Sequence, residues 1–382
     1  MPVNYLHPGL TMRTAFFILL ALACTCQAQT TDPTFTTVFQ KGEAGYTSYR
    51  IPAIIATKQH TLLAFIEARK DSQGDAGNID LLVKRSVDHG KTWGPAILVW
   101  DDKNNTCGNP APVVDQSTGT IWLLLTWNFG SDHEGAIKAG TSKHPRHVYV
   151  SSSTDDGNHW VTPTCISSSA RKDHWRWYAT GPGNGIQLTR GPHKGRLVIP
   201  CNHSDHSNTD LHPYRSHIVY SDDHGKHWQI GAIQPEKTNE SAVAELSNGG
   251  VLQSMRSYHG KHNRAMAISN DGGSTFAAVY LDNTLQTPVC QGSILRHSFS
   301  KTGHGILLHS NPAGQGRDHL TISMSQDDGK TWPWQKVVYA GGGAYSNLVG
   351  LPDGQVGILF EKDNYQTVSF TTFPINWIKS KQ

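Results

Sequence analysis

The sequence predicts an all-β fold, a six-bladed β-propeller of four-stranded antiparallel blades, and three observations lead to it. A turn motif, Ser-x-Asp-x-Gly-x-x-aromatic, recurs five times. Short β-rich runs bounded by Gly, Asn, Asp and Pro are frequent, whereas helical periodicity is weak throughout. The copies begin at residues 86, 153, 221, 269 and 325, and intervals of 48 to 68 residues fit one blade each. Residues 35–378 therefore hold roughly six blades, one of them without the motif.

Each copy of the motif is predicted to be a hairpin turn. The aspartate accepts hydrogen bonds from backbone amides, glycine supplies a positive φ, and the aromatic ring packs the next strand onto the hairpin. These aspartates are therefore expected to be part of the scaffold and not catalytic. The copies are Ser86/Asp88/Gly90/Trp93, Ser153/Asp155/Gly157/Trp160, Ser221/Asp223/Gly225/Trp228, Ser269/Asp271/Gly273/Phe276 and Ser325/Asp327/Gly329/Trp332.

Composition narrows the classes of partner. The 382 residues include 33 Lys and Arg against 30 Asp and Glu, without a Lys/Arg-rich block, which argues against a nucleic-acid partner. The 21 histidines are scattered and lack a His-Glu-x-x-His pattern, so neither a metal nor a cofactor is predicted. The apolar stretches stay below about 18 residues, so no transmembrane segment is predicted. One domain over residues 35–378 is expected.

Residues 1–28 are predicted to be a signal peptide, with Met12 as an alternative start. Arg13 precedes an apolar run over residues 15–23, and Ala28 is a small residue that suits signal peptidase. The protein is then expected to be secreted or exported, whether extracellular, periplasmic or lysosomal; a retained anchor or a lipid-modified Cys24 is the alternative. Outside the predicted signal peptide, the cysteines are Cys107, Cys165, Cys201 and Cys290. Four cysteines allow three disulfide pairings, and free buried thiols are the alternative.

The repeats occur together with the segment Tyr49-Arg50-Ile51-Pro52. This combination resembles the sialidase (neuraminidase) superfamily, in which an Arg-Ile-Pro tripeptide precedes several such repeats, called Asp boxes. The resemblance runs from about Phe35 to Trp377. It implies an exo-α-sialidase, a glycoside hydrolase that removes terminal sialic acid from glycoproteins, glycolipids or oligosaccharides with retention of configuration, as in carbohydrate metabolism and ganglioside catabolism.

Sialic acid carries a carboxylate on its anomeric carbon, and arginine offers planar, bidentate and permanently charged recognition of such a group. The family uses three arginines for this purpose, and the resemblance assigns them to Arg50, Arg256 and Arg317. Arg69 resembles a further arginine of the pocket. Glu361 resembles a glutamate that holds the first arginine of the triad.

A carboxylate nucleophile, usual in glycosidases, would face the substrate's own carboxylate. At about 5 Å and an effective dielectric of about 20, that repulsion is roughly 3 kcal/mol. A neutral tyrosine avoids it, and the resemblance assigns this role to Tyr345. A phenol has a pKa of about 10 and needs a base beside it; the resemblance assigns this base to Glu240, with Glu245 as a nearby rival. The general acid/base is assigned to Asp75, with Asp71 as its rival.

Three alternatives use the same signature. One is a trans-sialidase, which differs in its acceptor site. Another is a propeller that binds sialic acid without turnover, and a third is an Asp-box propeller that acts on another glycan or serves as a receptor. Candidates for the pocket of the acetamido group are Asn109 and Tyr178.

Overall fold

The computed structural model describes residues 1–6, 9, 33–205, 213–301 and 303–380. The chain divides into two units, Met1–Asp32 and Pro33–Gln382. Most of the predicted signal peptide, residues 1–28, lies outside the described residues, and residues 1–6 and 9 contain neither helix nor strand.

The second unit is all-β, as predicted. Its described residues form 24 strands, since runs rich in β-branched and aromatic residues favour pleated, half-buried surfaces. The α-helices in the same residues are short: α1 (Glu134–Ala139), α2 (Ser167–Ala170) and α3 (Ile375–Lys379).

Most strands that follow one another in sequence pair antiparallel, and the strands form six meanders, numbered here one to six. Strand β1 (Thr36–Gln40) precedes them. Meander one contains β2 (Ser48–Ala56), β3 (Leu62–Arg69), β4 (Ile79–Ser86) and β5 (Ile97–Trp100); meander two contains β6 (Thr106–Val114), β7 (Ile121–Asn128), β8 (His147–Ser153) and β9 (Thr164–Cys165). Meander three contains β10 (Trp175–Thr180), β11 (Ile186–Gln187), β12 (Leu197–Asp205), β13 (Tyr214–Ser221) and β14 (Gln229–Glu236).

The remaining meanders follow the same plan. Meander four contains β15 (Thr238–Glu245), β16 (Val251–Ser257), β17 (Asn263–Ser269) and β18 (Tyr280–Gln286). Meander five contains β19 (Ser293–Ser298), β20 (Ile306–Pro312), β21 (Asp318–Ser325) and the first half of β22 (Trp334–Gly350). Meander six contains the second half of β22, then β23 (Gln355–Lys362), β24 (Thr367–Pro374) and finally β1, which pairs with β24.

Two links join meanders into larger sheets. The long strand β22 pairs with β21 and then with β23, so meanders five and six with β1 form a seven-stranded sheet. A single parallel pair, Ile79 with Thr106, joins meanders one and two into an eight-stranded sheet. The structure therefore contains several sheets in its described residues; the number of meanders equals the predicted number of blades.

The core lies between meanders. Each consecutive pair of meanders shares a cluster of buried apolar side chains. Meanders six and one share a further cluster, in which Ile54 of β2 and Leu359 of β23 are both fully buried. The inner strands contact one another in the same order: β2 with β6, β6 with β12, β12 with β15, β15 with β19, β19 with β22, and β22 with β2.

The five Asp boxes begin at the last residues of β4, β8, β13, β17 and β21, one in each of meanders one to five. In one of them, Asp271 Oδ1 accepts hydrogen bonds from Ser269 Oγ and Thr275 N, both at 2.8 Å, and Gly273 has a φ of 92°. The expected position of the aromatic ring needs correction, because it packs on the preceding meander. The ring centroid of Trp160, for example, lies 5.4 Å from that of Phe65 on β3. Each box therefore fixes its own turn and also supplies part of the core between two meanders.

Candidate active site

Side chains from the inner strands, from neighbouring strands such as β3 and β16, and from loops surround one polar cavity of about 210 Å³. Seven of the eight predicted site residues line it, and they come from four different meanders. They are Arg50, Arg69, Asp75, Glu240, Arg256, Arg317 and Tyr345. The eighth, Glu361, is fully buried and bonded to two residues of this cavity.

The inner strands are irregular where they border the cavity. Their pairing registers shift between Arg50 and Ala53, between Gly108 and Ala111, between Trp175 and Tyr178, between Thr238 and Ser241, and between Gly343 and Ser346. A bulge leaves a residue outside the ladder and re-aims its side chain. Backbone strain accompanies this irregularity, since Ile51 and Asn109 have φ values of 64° and 51°. The bulges explain how alternating strands can present consecutive polar residues to one cavity.

Glu361 connects the first arginine to the tyrosine. Its Oε1 lies 2.6 Å from Arg50 Nε and accepts a hydrogen bond of 3.0 Å from the backbone N–H of Ile51. Its Oε2 accepts a hydrogen bond of 3.0 Å from the backbone N–H of Tyr345. A buried carboxylate requires a cationic partner and donors for its remaining lone pairs, and all of these are present. Glu361 therefore fixes the guanidinium of Arg50 relative to the backbone of Tyr345.

The phenol of Tyr345 stands among three guanidinium groups. Its hydroxyl donates to Glu240 Oε1 at 2.6 Å, and Arg256 Nη1 lies 3.2 Å from the phenol oxygen and 2.9 Å from Glu240 Oε2. The guanidinium carbons of Arg50 and Arg317 lie 5.7 Å and 5.5 Å from the centroid of the Tyr345 ring. Burial and the Glu240 carboxylate raise the pKa of Tyr345 well above its usual value, although Arg256 and Arg317 act in the opposite direction. The phenol is therefore neutral at rest, and an acceptor for its proton is in contact.

Asp75 lies on the loop between β3 and β4, with 65% of its side chain exposed. Its Oδ1 is 2.8 Å from Arg69 Nη2, and Arg69 is held in turn by Glu67 Oε2, at 2.6 Å from the same nitrogen. Desolvation acts to raise the pKa of Asp75, but the Arg69 and Arg50 guanidinium groups outweigh it, and the pKa is lowered. Asp75 is therefore a carboxylate at neutral pH when the cavity is empty.

The rival residues lie elsewhere. Asp71 is exposed and does not line the cavity. Glu245, at the other end of β15, accepts hydrogen bonds from the backbone N–H groups of Thr189 and Arg190. Of the two candidates for the acetamido pocket, Asn109 lines the cavity, whereas Tyr178 is fully buried and donates its hydroxyl to the carbonyl of Ala170. Asp75, Glu240 and Asn109 can therefore contact a ligand in this cavity, whereas Asp71, Glu245 and Tyr178 cannot.

Several cavity residues are absent from the predicted site. Glu67, on the same face of β3 as Arg69, could have been found from the alternation of side chains along a strand. Arg146 and Asn202 carry no local signal. Aromatic rings and cations pack together beside the cavity. The Tyr214 and Tyr258 rings lie 5.5 Å apart, and Arg256 lies 5.3 Å from the Tyr258 ring. Lys138 of α1 lies 4.9 Å from the Tyr214 ring. Further cavity residues are Glu134, Trp177, Ala179 and Asn239.

The described residues also bear on metal binding, membrane spans and disulfides. Groups of three or more His, Cys, Asp or Glu side chains arranged to hold a metal ion are not found among them. Within the same residues, no helix has both the length and the apolar character to cross a membrane. Cys107, Cys165, Cys201 and Cys290 are free thiols, and Cys165 is the exposed one.

Comparison with known proteins gives consistent results. Residues 60–358 match the family model described as a BNR repeat-like domain. A sialidase of Micromonospora viridifaciens is 33% identical over 349 residues, which are 88% of this chain and 53% of that protein, so the chain spans about half the length of this relative. An exo-alpha-sialidase of Aspergillus fumigatus is 29% identical over 368 residues, covering 87% of this chain and 86% of that protein.

Solved structures agree. A Hadza microbial sialidase superposes with a TM-score of 0.80 at 29% identity, over 90% of this chain and 69% of that chain. An intramolecular trans-sialidase from Ruminococcus gnavus superposes with a TM-score of 0.76 over 91% of this chain and 99% of that chain; at 19% identity, this likeness concerns the fold alone. With the family match covering most of the chain, the conclusion is that this chain belongs to the sialidase superfamily.

Proposed function

We propose that the protein is an exo-α-sialidase that hydrolyses terminal sialic acid from glycans with retention of configuration. The single observation that supports this most strongly is the convergence of Arg50, Arg256 and Arg317 around the phenol of Tyr345. Three permanent positive charges suit an anionic sugar, and a carboxylate bound between them would hold the carbon that bears it next to the phenol oxygen. The names of the relatives, sialidase and exo-alpha-sialidase, point to the same substrate class.

In the proposed reaction, the arginines bind the carboxylate and Asp75 protonates the departing glycosidic oxygen. Tyr345 gives its proton to Glu240 as its oxygen attacks the anomeric carbon, which forms a glycosyl-enzyme. Asp75 then removes a proton from the water that hydrolyses this intermediate, and Tyr345 recovers its proton from Glu240. The guanidinium groups keep the substrate carboxylate ionised beside the positive charge that develops on the sugar ring.

The lowered pKa of Asp75 requires an explanation within this proposal, since a general acid must hold a proton. The empty cavity has an excess of guanidinium groups around Asp75, and the substrate carboxylate neutralises part of that charge. Substrate binding therefore raises the pKa of Asp75 relative to the empty cavity, because a nearby anion and loss of water both disfavour the carboxylate.

We further propose that the six meanders close into a single six-bladed propeller over residues 35–378. Support comes from the cluster shared by meanders six and one, and from the continuous order of contacts among the inner strands. A strand from the N-terminal side, β1, then completes the last blade and ties the two ends of the domain together. Secretion or export, which the N-terminal sequence suggests, is proposed on the sequence alone.

The test is release of 4-methylumbelliferone from its sialic acid glycoside. Tyr345→Phe removes the nucleophilic oxygen and keeps the ring, so we expect a folded protein that loses nearly all turnover. Tyr220→Phe is the matched control, because that ring lies on β13 under the Arg196 guanidinium, 4.0 Å from its carbon, and outside the cavity. Proton NMR of the first sugar released reports retention. Full activity in Tyr345→Phe, or inversion of configuration, would refute the proposed mechanism.

A further inference from the structure

The backbone around Tyr345 lies where the pairing of β22 is interrupted. The register between β22 and β23 shifts between Gly343 and Ser346, so Tyr345 falls within the irregularity. Beyond Gly342, the other edge of β22 pairs with no strand in the part of the chain that the structure describes. Ser346 is nevertheless fully buried, and buried peptide groups need hydrogen-bond partners. Side chains must therefore hold the peptide groups next to Tyr345.

The carboxamide of Gln291 acts here as a neighbouring strand would. Gln291 precedes β19 and is buried. Its Oε1 accepts a hydrogen bond of 3.1 Å from the backbone N–H of Ser346, and its Nε2 donates to the Ser346 carbonyl, also at 3.1 Å. The same Nε2 donates to the Pro182 carbonyl at 3.1 Å. A carboxamide offers two donors and an acceptor, so one side chain satisfies both backbone groups of Ser346.

Gln291 and Glu361 together fix the backbone on both sides of the phenol. The peptide group before the Cα of Tyr345 donates its N–H to Glu361 Oε2 at 3.0 Å. The peptide group after it donates, through the N–H of Ser346, to Gln291. Peptide groups are planar, so holding the two planes that meet at one Cα also fixes the direction of its side chain. The direction in which the phenol leaves the backbone towards Glu240 is therefore set by two buried side chains.

The third hydrogen bond of Gln291 leads to a turn that also holds the acceptor of the phenol proton. This turn follows β10, and its Pro182 carbonyl accepts the bond from Gln291. Its Gly181 carbonyl accepts a hydrogen bond of 3.2 Å from the backbone N–H of Ser241, the residue after Glu240. One turn therefore contacts the backbone beside the proton acceptor and, through Gln291, the backbone beside the phenol.

We propose that Gln291 is a positioning residue, which holds the Tyr345 oxygen in place for transfer of its proton to Glu240 and for attack on the sugar. This inference rests on the proposed function. Displacing a reacting atom by about 1 Å can slow a reaction by about 10²-fold. Gln291 does not line the cavity, so it acts through the backbone of β22 and affects kcat much more than ligand binding.

The first test is Gln291→Met, which keeps the length of the side chain and removes all three hydrogen bonds. We measure kcat on the 4-methylumbelliferyl glycoside, and Kd for the unreactive analogue 2-deoxy-2,3-dehydro-N-acetylneuraminic acid, at a temperature at which circular dichroism shows each protein folded. We expect kcat to fall by about 10- to 100-fold. The Kd should change by less than about threefold, because the three arginines keep their places.

The matched control is Gln234→Met. Gln234 is a buried glutamine of β14 that does not line the cavity, and its Nε2 donates to Gln253 Oε1 at 2.8 Å. Its replacement also removes a buried hydrogen bond, so it should lower Tm while kcat stays as in the wild-type protein.

A second variant, Gln291→Glu, separates positioning from packing through its pH dependence. A protonated carboxyl group offers one donor and one acceptor, whereas a carboxylate offers no donor to the carbonyls of Ser346 and Pro182. Burial and these carbonyl oxygens raise the pKa of the introduced carboxyl group. The ratio of its kcat to that of the wild-type protein should therefore be highest at mildly acidic pH and fall as the pH rises. The same ratio for Gln291→Met should not depend on pH.

The outcomes separate the two proposals. A wild-type protein without activity contradicts the proposed function, and the role of Gln291 with it. In an active protein, an unchanged kcat in Gln291→Met, an equal loss in Gln234→Met, or a Kd that rises as much as kcat falls overturns only the role of Gln291. If Gln291→Met does not fold, Gln291→Glu decides, since a kcat ratio that does not vary with pH also overturns this role.

Discussion

The replacement Glu361→Gln tests most directly whether the buried Glu361 carboxylate holds Arg50 in place in the cavity. It keeps the shape of the side chain and removes the negative charge that faces Arg50 Nε at 2.6 Å. With the charge centres about 4 Å apart and an effective dielectric of about 20, the lost attraction is about 4 kcal/mol. This agrees with the range of about 3–5 kcal/mol for breaking one partner of a buried ion pair.

The amide also mismatches its surroundings. Three donors point at the two oxygens of Glu361, from Arg50 Nε, Ile51 N and Tyr345 N, whereas glutamine offers one oxygen and one NH₂ group. At least one N–H then faces another N–H group in the interior. We therefore expect Glu361→Gln to lower the urea midpoint strongly, and also to raise KM because Arg50 is no longer held against the substrate carboxylate.

Urea unfolding followed by tryptophan fluorescence, together with kcat and KM on the 4-methylumbelliferyl substrate, measures both effects. The matched control is Glu236→Gln, which removes the same charge from a pair with Arg215 in which 41% of the Glu236 side chain is exposed. Such surface pairs contribute about 0.2–1 kcal/mol. The reasoning fails if Glu361→Gln is no more destabilising than this control, or if its KM equals that of the wild-type protein.

Other perturbations follow from the same contacts. Glu240→Gln removes the acceptor of the phenol proton, so kcat should fall by roughly 10²- to 10⁴-fold; a loss confined to KM would speak against Glu240 as the base. Arg69→Met removes a guanidinium that lowers the pKa of Asp75 against the effect of burial, so the pKa of Asp75 should rise. The alkaline limb of the pH profile of kcat/KM should then move to higher pH. A limb that stays in place would argue against Asp75 as the acid. In Asp271→Ala the lost turn hydrogen bonds should cost roughly 1–2 kcal/mol by urea unfolding and leave kcat/KM unchanged. Burial acts to raise the pKa of Asp271, but hydrogen bonds from Thr275 outweigh it and lower this pKa to about 2, below the value in the unfolded chain. The stability that Asp271 contributes is therefore complete above a pH of about 4 and is lost as the pH falls towards about 2. Equal destabilisation by Asp271→Ala at both pH values would contradict this pH dependence.

Much of the fold could be predicted because its determinants are local. A turn such as Ser269 to Phe276 encodes its own hydrogen bonds and its own glycine conformation, and five such turns, 48 to 68 residues apart, specify repeated antiparallel units. The position of the ring was predicted wrongly because the partner of Trp160, for example, is Phe65 on the preceding meander, 95 residues earlier in the chain. Local patterns do not specify such a partner.

The residues of the cavity also divide into those that a local motif predicts and those that it does not. Arg50, Arg256, Arg317 and Tyr345 were found because each stands in a segment that resembles a known family. Asn202 and Arg146 stand in segments without such a signal, and they reach the cavity through the register of β12 and the start of β8. Bulges in the inner strands shift the side chains that follow them, and one residue of slip exchanges the two faces of a strand.

The sequence by itself determined the class of fold, the repeat and the residue types that an anionic sugar requires, because turn chemistry and charge act over a few residues. The tertiary structure alone decided that Glu361 joins Arg50 to the backbone of Tyr345, and that Asn202 of β12 lines the same cavity as Arg50 and Tyr345. These arrangements depend on contacts between strands far apart in the chain. The first of them arises only when meanders one and six have packed together, since Arg50 belongs to meander one and Glu361 to meander six.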